Sequence, residues 1–130
     1  MRQIEFRGKR KADGKWVYGN LIQTYNAFGI SQIFGRGEWL VDPDTVGQWI
    51  GKYDVNKNKI FEHDIVRTQY FGSYVGNSFD FTGIDTFEVV YSGSGFKLEN
   101  KKRSYVLRDD VELEVIGNRF DTPELLGGGA

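Results

Sequence analysis

The chain has no cysteine, one histidine, one methionine and only two prolines in 130 residues. Each scarcity removes a class of chemistry or structure. Without cysteine there are no disulfides, thiolate metal sites or thiol nucleophiles, a composition that fits a reducing cytoplasm. A single histidine excludes a histidine-rich metal centre. No window approaches the roughly 18 apolar residues of a membrane span, and the basic opening MRQIEFRGKRK lacks the apolar run of a signal peptide. A soluble, cytoplasmic protein without a membrane partner is expected. Phosphate-cradling loops, nucleophile elbows and kinase signatures are missing as well. Gly93-Ser94-Gly95 is too short for the first of these and sits in a hairpin rather than before a helix. Carboxylate pairs such as Asp109-Asp110 are too common to read as acid and base. The chain is therefore expected not to be an enzyme and to need no cofactor.

What is present favours strands. Aromatic residues make up 15% of the chain and glycine occurs 17 times, with short alternating runs and no long amphipathic helix. The length suits one ordinary domain that buries roughly two thirds of its unfolded surface. In Arg2 to Lys9, Ile4 and Phe6 alternate with Gln3, Glu5 and Arg7, the pattern of a half-buried strand. Asp13-Gly14 supplies a tight turn, and Lys15 to Tyr25 returns with apolar residues on both faces, as a central strand would. Ala27 to Phe34 and Trp39 to Val41 add two more runs. Asp42-Pro43 then breaks the pattern, because proline cannot donate to a ladder. Thr45 to Ile50 reads as a strand, Lys52 to Lys59 as a solvated polar loop, and Ile65 to Tyr70 as the next strand.

The most regular stretch follows. Phe87, Val89 and Tyr91 alternate with Glu88, Val90 and Ser92; Gly93-Ser94-Gly95 turns the chain; Phe96 and Leu98 alternate with Lys97 and Glu99. Tyr105 to Leu107 and Val111 to Ile116 add short strands, the latter with Leu113 inward and Glu112 outward. Thr122-Pro123-Glu124 reads as one helical turn with Thr122 as N-cap. An acidic residue leading into Ile65-Val66 is like the turn that opens a strand in small SH3-like barrels, with Asp64 placed to accept backbone N–H bonds. The expected fold is mainly β: an antiparallel N-terminal meander over residues 1–50, an SH3-like small barrel over 51–126, one short C-terminal helical turn, and a disordered tail at 127–130.

Several segments resemble the YopX-like proteins of phages and prophages: MRQIEFRGKR, GKWVYGNL, VDPDTVGQWIGKYDVNKNKIFEHDIV and VIGNRFDTPELL. They lie at both ends and in the middle, so the resemblance spans nearly the whole chain. It implies a mainly β protein of a phage or mobile element in the host cytoplasm and implies no particular chemistry. Two positions depart from the family pattern. The loop Asp54 to Ile60 lacks the family's usual glycine, with Asn58 able to take the left-handed conformation instead, and His63 stands where glycine is common before Asp-Ile-Val.

Candidate sites are few. His63 lies between Glu62 and Asp64, but neighbours in an extended chain point to opposite faces, so a solvated or locally bonded histidine is expected. Asp54, Asn56 and Asn58 resemble the start of a calcium loop, yet Lys59 and Ile65 occupy the positions that require glycine and glutamate, so no metal site is expected. Phe71, Tyr74, Phe79 and Phe81 lie in an irregular, glycine-rich arm, and rings that cannot all reach one small core suggest self-association. Arg7, Lys9, Arg10, Lys11 and Lys15, near Trp16 and Tyr18, are the candidate contacts for nucleic acid. Charge is uneven: Arg2, Arg7, Lys9, Arg10, Lys11 and Lys15 open the chain, and Asp109, Asp110, Glu112, Glu114, Asp121 and Glu124 close it. The expected partner is another copy of the chain, then a host or phage protein, and nucleic acid after those.

Overall fold

The computed structural model describes residues 4–23, 28–31, 38–70, 74–75, 78–79, 83–93, 95–107 and 111–126. The chain divides into two units, one of residues 1–52 and 59–62, the other of residues 53–58 and 63–130.

The first unit is built on a six-stranded antiparallel sheet. Its strands are β1 (Phe6–Lys9), β2 (Trp16–Gln23), β3 (Phe28–Ser31), β4 (Glu38–Val41), β5 (Gly47–Tyr53) and β6 (Lys59–Phe61), in the order β4-β3-β2-β1-β5-β6. Gly14, at φ +73°, makes the expected turn between β1 and β2, with the Lys15 N–H bonded to the Asp13 carboxylate. The sheet curls, because β4 also meets the end of β1 through an Arg10–Val41 bridge. Alternation then puts Phe6, Val17, Leu21, Phe28, Trp39 and Val46 around the fully buried Val41. Gly8 faces this core, where an added Cβ would stand 3.1 Å from Val41. The expected break after Val41 is a single helical turn, Pro43–Thr45, capped by the Asp42 carboxylate on the Asp44 N–H.

The second unit holds a five-stranded antiparallel sheet of β7 (Asp64–Tyr70), β10 (Gly83–Ser92), β11 (Gly95–Glu99), β12 (Ser104–Val106) and β13 (Glu114–Asn118), in the order β12-β11-β10-β7-β13. A separate two-stranded ribbon joins β8 (Tyr74–Val75) to β9 (Ser78–Phe79). One face of the large sheet is its core: Val66, Phe87, Val89 and Leu98 are buried, and the Tyr105 ring meets Phe87 edge-on at 5.8 Å.

This corrects the expected SH3-like barrel. The sheet is open: β12 and β13 are its two edges and do not pair with each other. The last strand also starts later than alternation suggests, at Glu114 rather than Val111, and a bulge between Val115 and Gly117 shifts its register on β7. Leu113 points inward as expected, but from the segment before the strand.

The loop 53–58 is solvent-exposed as expected, except at one residue. Asp54 is buried and its carboxylate gathers the N–H groups of Asn56 (2.9 Å), Asn58 (2.8 Å) and Val115 (3.0 Å). Lys57, not Asn58, takes the left-handed conformation, at φ +68°. Asp64 is buried as well and starts β7 opposite Asn118. Asp54 performs at loop 53–58 the N–H-gathering role that is also expected of Asp64.

Candidate functional site

The outer face of the second sheet carries the site. Register places Gly117, Ile65, Glu88, Glu99 and Ser104 in one cross-strand row, and Val90, Lys97 and Val106 in the next but one. Directly paired residues share a face, so these side chains lie opposite the Phe87 core.

The C-terminal turn Pro123–Leu125 covers one end of this face. Its seat depends on Gly117, where a Cβ would overlap the Thr122 hydroxyl and approach Leu125 at 2.8 Å. Thr122 does not cap the turn with its side chain. Its hydroxyl instead accepts the Asn118 N–H at 3.0 Å and donates to the Asn118 carbonyl at 3.1 Å. Thr86 adds a hydrogen bond to the Leu125 carbonyl. Gly117→Ala should therefore lose about 1–3 kcal/mol by forcing the turn off the sheet. Urea unfolding measures that loss, and an unchanged midpoint would show that the turn is not held by this approach.

Between the turn and the strands lies a cleft of about 450 Å³ lined by Glu88, Glu99, Asn100, Lys101, Pro123 and Leu126. Asn100 fixes its rim: its amide donates to Asp85 and to the Thr86 carbonyl, and its oxygen accepts the N–H groups of Lys102 and Arg103. Glu88 is held from the other side. Its Oε2 meets His63 Nδ1 at 3.1 Å and Arg119 at 3.4 Å. Burial would push the Glu88 carboxyl up, but the His63 hydrogen bond and the Arg119 charge outweigh it and hold the group below its ordinary range.

His63 thus has a partner distant in sequence rather than the solvated or local setting expected of it. Glu62 and Asp64 are not that partner. Its N–H donates to the Val89 carbonyl, its carbonyl accepts the Arg119 N–H, and its ring stands edge-on to Phe120 at 5.4 Å. These bonds fix the backbone at φ +73°, a conformation that glycine adopts without the Cβ penalty. His63→Gly should be more stable than His63→Ala by about 1 kcal/mol, since both lose the Glu88 contact and only alanine keeps the penalty. Chemical denaturation of the pair reads this directly; equal stabilities would mean the backbone is not constrained there.

The candidates for nucleic acid separate. Arg7 and Lys9 lie on one face of the β1–β2 hairpin, with the Arg7 guanidinium 4.5 Å from the Trp16 ring centre and 5.0 Å from that of Phe61, and Lys9 5.4 Å from Trp16. Arg7 is only 6% exposed. Arg10 lies 3.4 Å from Asp13 and 5.8 Å from the Trp39 ring centre. Lys11 and Lys15 are exposed in and beside the turn. Of the arm, Tyr74 and Phe79 pair through their backbones in the β8–β9 ribbon, whereas Phe71 and Phe81 fall outside the described residues.

The cleft residues were not singled out in the sequence, although a signal was there. With Ser92 paired to Gly95 across the tight turn, counting back sets Glu88 opposite Glu99. Among the described residues no group of three or more His, Cys, Asp or Glu is arranged to hold a metal ion, and no helix is long and apolar enough to cross a membrane.

A sequence model of the YopX protein family matches residues 5–127. The chain belongs to the YopX family. No curated protein matches it. Among solved structures, the crystal structure of protein EF1440 from Enterococcus faecalis is similar, with 20% identity, a TM-score of 0.56, and coverage of 97% of this chain and 99% of that one. At that identity the likeness shows that this YopX protein shares a fold with EF1440, and nothing more.

Proposed function

We propose that this YopX protein is a non-enzymatic phage or prophage accessory module that acts by binding protein, with further copies of itself as the first partner. The observation that carries this reading is the outer face of the second sheet. It presents Ile84 at 71% and Val106 at 70% exposure, to either side of the Glu88–Glu99 row that lines a cleft with an apolar wall. Large apolar side chains exposed on one sheet face next to a concave site fit a surface that another protein covers. Sedimentation across micromolar concentrations tests it. The expected result is an assembly that dissociates on dilution and is weakened by Val106→Glu, with unfolding of the variant unchanged. A monomer at every concentration would overturn self-association.

A second reading, nucleic-acid binding, has one observation in its favour: Lys9 and Trp16 share a face with Tyr18, which is 45% exposed. It is less supported because Arg7 is buried and Arg10 faces Asp13, leaving a smaller basic surface than the sequence suggests. Salt-sensitive retardation of single-stranded probes, lost on charge reversal at Lys9, Lys11 and Lys15, would favour it.

A further inference from the structure

Glu88 and Glu99 stand directly opposite each other on β10 and β11, and like charges in that arrangement destabilise a sheet. Only one of the two is compensated. Glu88 Oε2 receives His63 and Arg119, whereas Glu88 Oε1 and both Glu99 oxygens accept no hydrogen bond among the described residues. Arg119 is engaged by Glu88, and Lys101 at the rim makes no ion pair among the described residues. The cleft therefore carries the exposed Glu99 carboxylate, without a hydrogen bond among the described residues, beside the apolar wall of Pro123 and Leu126 and with Lys101 on its rim. Its volume of about 450 Å³ lies within the range of roughly 300–1,000 Å³ found for ligand sites. A cation on an apolar stem fits those features: methylenes against Pro123 and Leu126, the charged head between the two carboxylates.

The chain carries such groups. Lys11 and Lys15, in and beside the β1–β2 turn, are exposed and make no ion pair among the described residues. We infer that the Glu88–Glu99 cleft of one copy receives Lys11 or Lys15 from the β1–β2 turn of a second copy, joining copies head to tail. The inference rests on the self-association reading and specifies its contact. Because the joined surfaces differ, the contact propagates into rings or filaments unless two copies exchange it reciprocally in a two-fold dimer. An ion pair at a partly exposed site is screened by salt, so assembly should weaken as ionic strength rises.

Charge exchange tests this on the full chain by sedimentation at low and moderate salt. Lys11→Glu/Lys15→Glu and Glu99→Lys should each weaken self-association about tenfold, and mixing the two proteins should restore assembly, since the acidic turn of one then meets the basic cleft of the other. Glu99→Gln guards against misfolding: it should weaken assembly to a lesser degree while raising resistance to urea slightly, because one of the two facing charges is gone. If the wild type assembles but the reversals have no effect, or the mixture fails to recover, this contact is wrong and the self-association reading stands. If the wild type is monomeric throughout, both fail.

Discussion

Asp54→Ala is expected to cost about 2–4 kcal/mol of unfolding free energy, more than any other single change in the loop 53–58. Asp54 is 6% exposed, and its carboxylate holds two parts of the chain at once. Oδ1 accepts the N–H groups of Asn56 and Asn58, which shapes the loop, and Oδ2 accepts the N–H of Val115 on β13, an edge strand. Alanine leaves the Val115 N–H without its acceptor and releases a loop in which Lys57 sits at φ +68°. The neighbouring bond from the Val55 N–H to the Leu113 carbonyl should loosen with it. Urea unfolding gives the magnitude, and amide exchange at Val115 gives the place. Loss of stability with Val115 still protected would mean that the edge strand is held by something else.

The same carboxylate sets an acid limit. Burial raises its pKa, but the hydrogen bonds from Val115, Asn58 and Asn56 outweigh that and bring it below its ordinary value of 3.8. A group with a depressed folded pKa binds more protons unfolded than folded. Its contribution is therefore complete above the ordinary value and lost as pH falls through the folded one. Asp54→Asn removes that ionisation, so the stability difference between wild type and Asp54→Asn should shrink as the solution is acidified below pH 3.8. A difference independent of pH would contradict the assignment.

The anchoring role of Asp54 is not legible in the sequence. Its decisive partner is Val115, 61 positions downstream, a pairing that no periodicity encodes. The left-handed backbone at His63 is hidden for the same reason, because Val89 and Arg119 impose it from elsewhere. Closure of the sheet is likewise a long-range property. Alternation identified β10 and β11 and their faces, since period-two burial is local, but it cannot say whether β12 meets β13. The division into units is discontinuous, with residues 59–62 returning to the first, and nothing in composition marks that return.

The cleft was legible in part. Its floor follows from the pairing of Ser92 with Gly95, which fixes the register of Glu88 on Glu99, and its wall follows from the Thr-Pro-Glu turn. Their meeting was not legible, because it depends on the missing side chain at Gly117. A glycine in a strand signals that something approaches closely without saying what.

Phe87→Ala should be the most damaging change in the second unit, at about 3–5 kcal/mol. The ring is fully buried, pairs with Val66 across β7 and meets Tyr105 edge-on at 5.8 Å, so its removal leaves a void beneath three strands. Total stabilities of single domains run to about 5–15 kcal/mol, so the variant should be largely unfolded at moderate urea concentrations that the wild type withstands. Phe87→Leu keeps most of the volume and should cost about 1 kcal/mol. Ile84→Ala on the same strand removes a side chain that is 71% exposed and should stay within about 0.5 kcal/mol. The three together discriminate between packing and strand propensity, because a β-propensity effect would make the exposed position matter as much as the buried one. Glu88 follows Phe87 on the opposite face, so the core ring also sets the plane of the cleft floor. Phe87→Leu should then preserve self-association at temperatures where Phe87→Ala, still partly folded, has lost it.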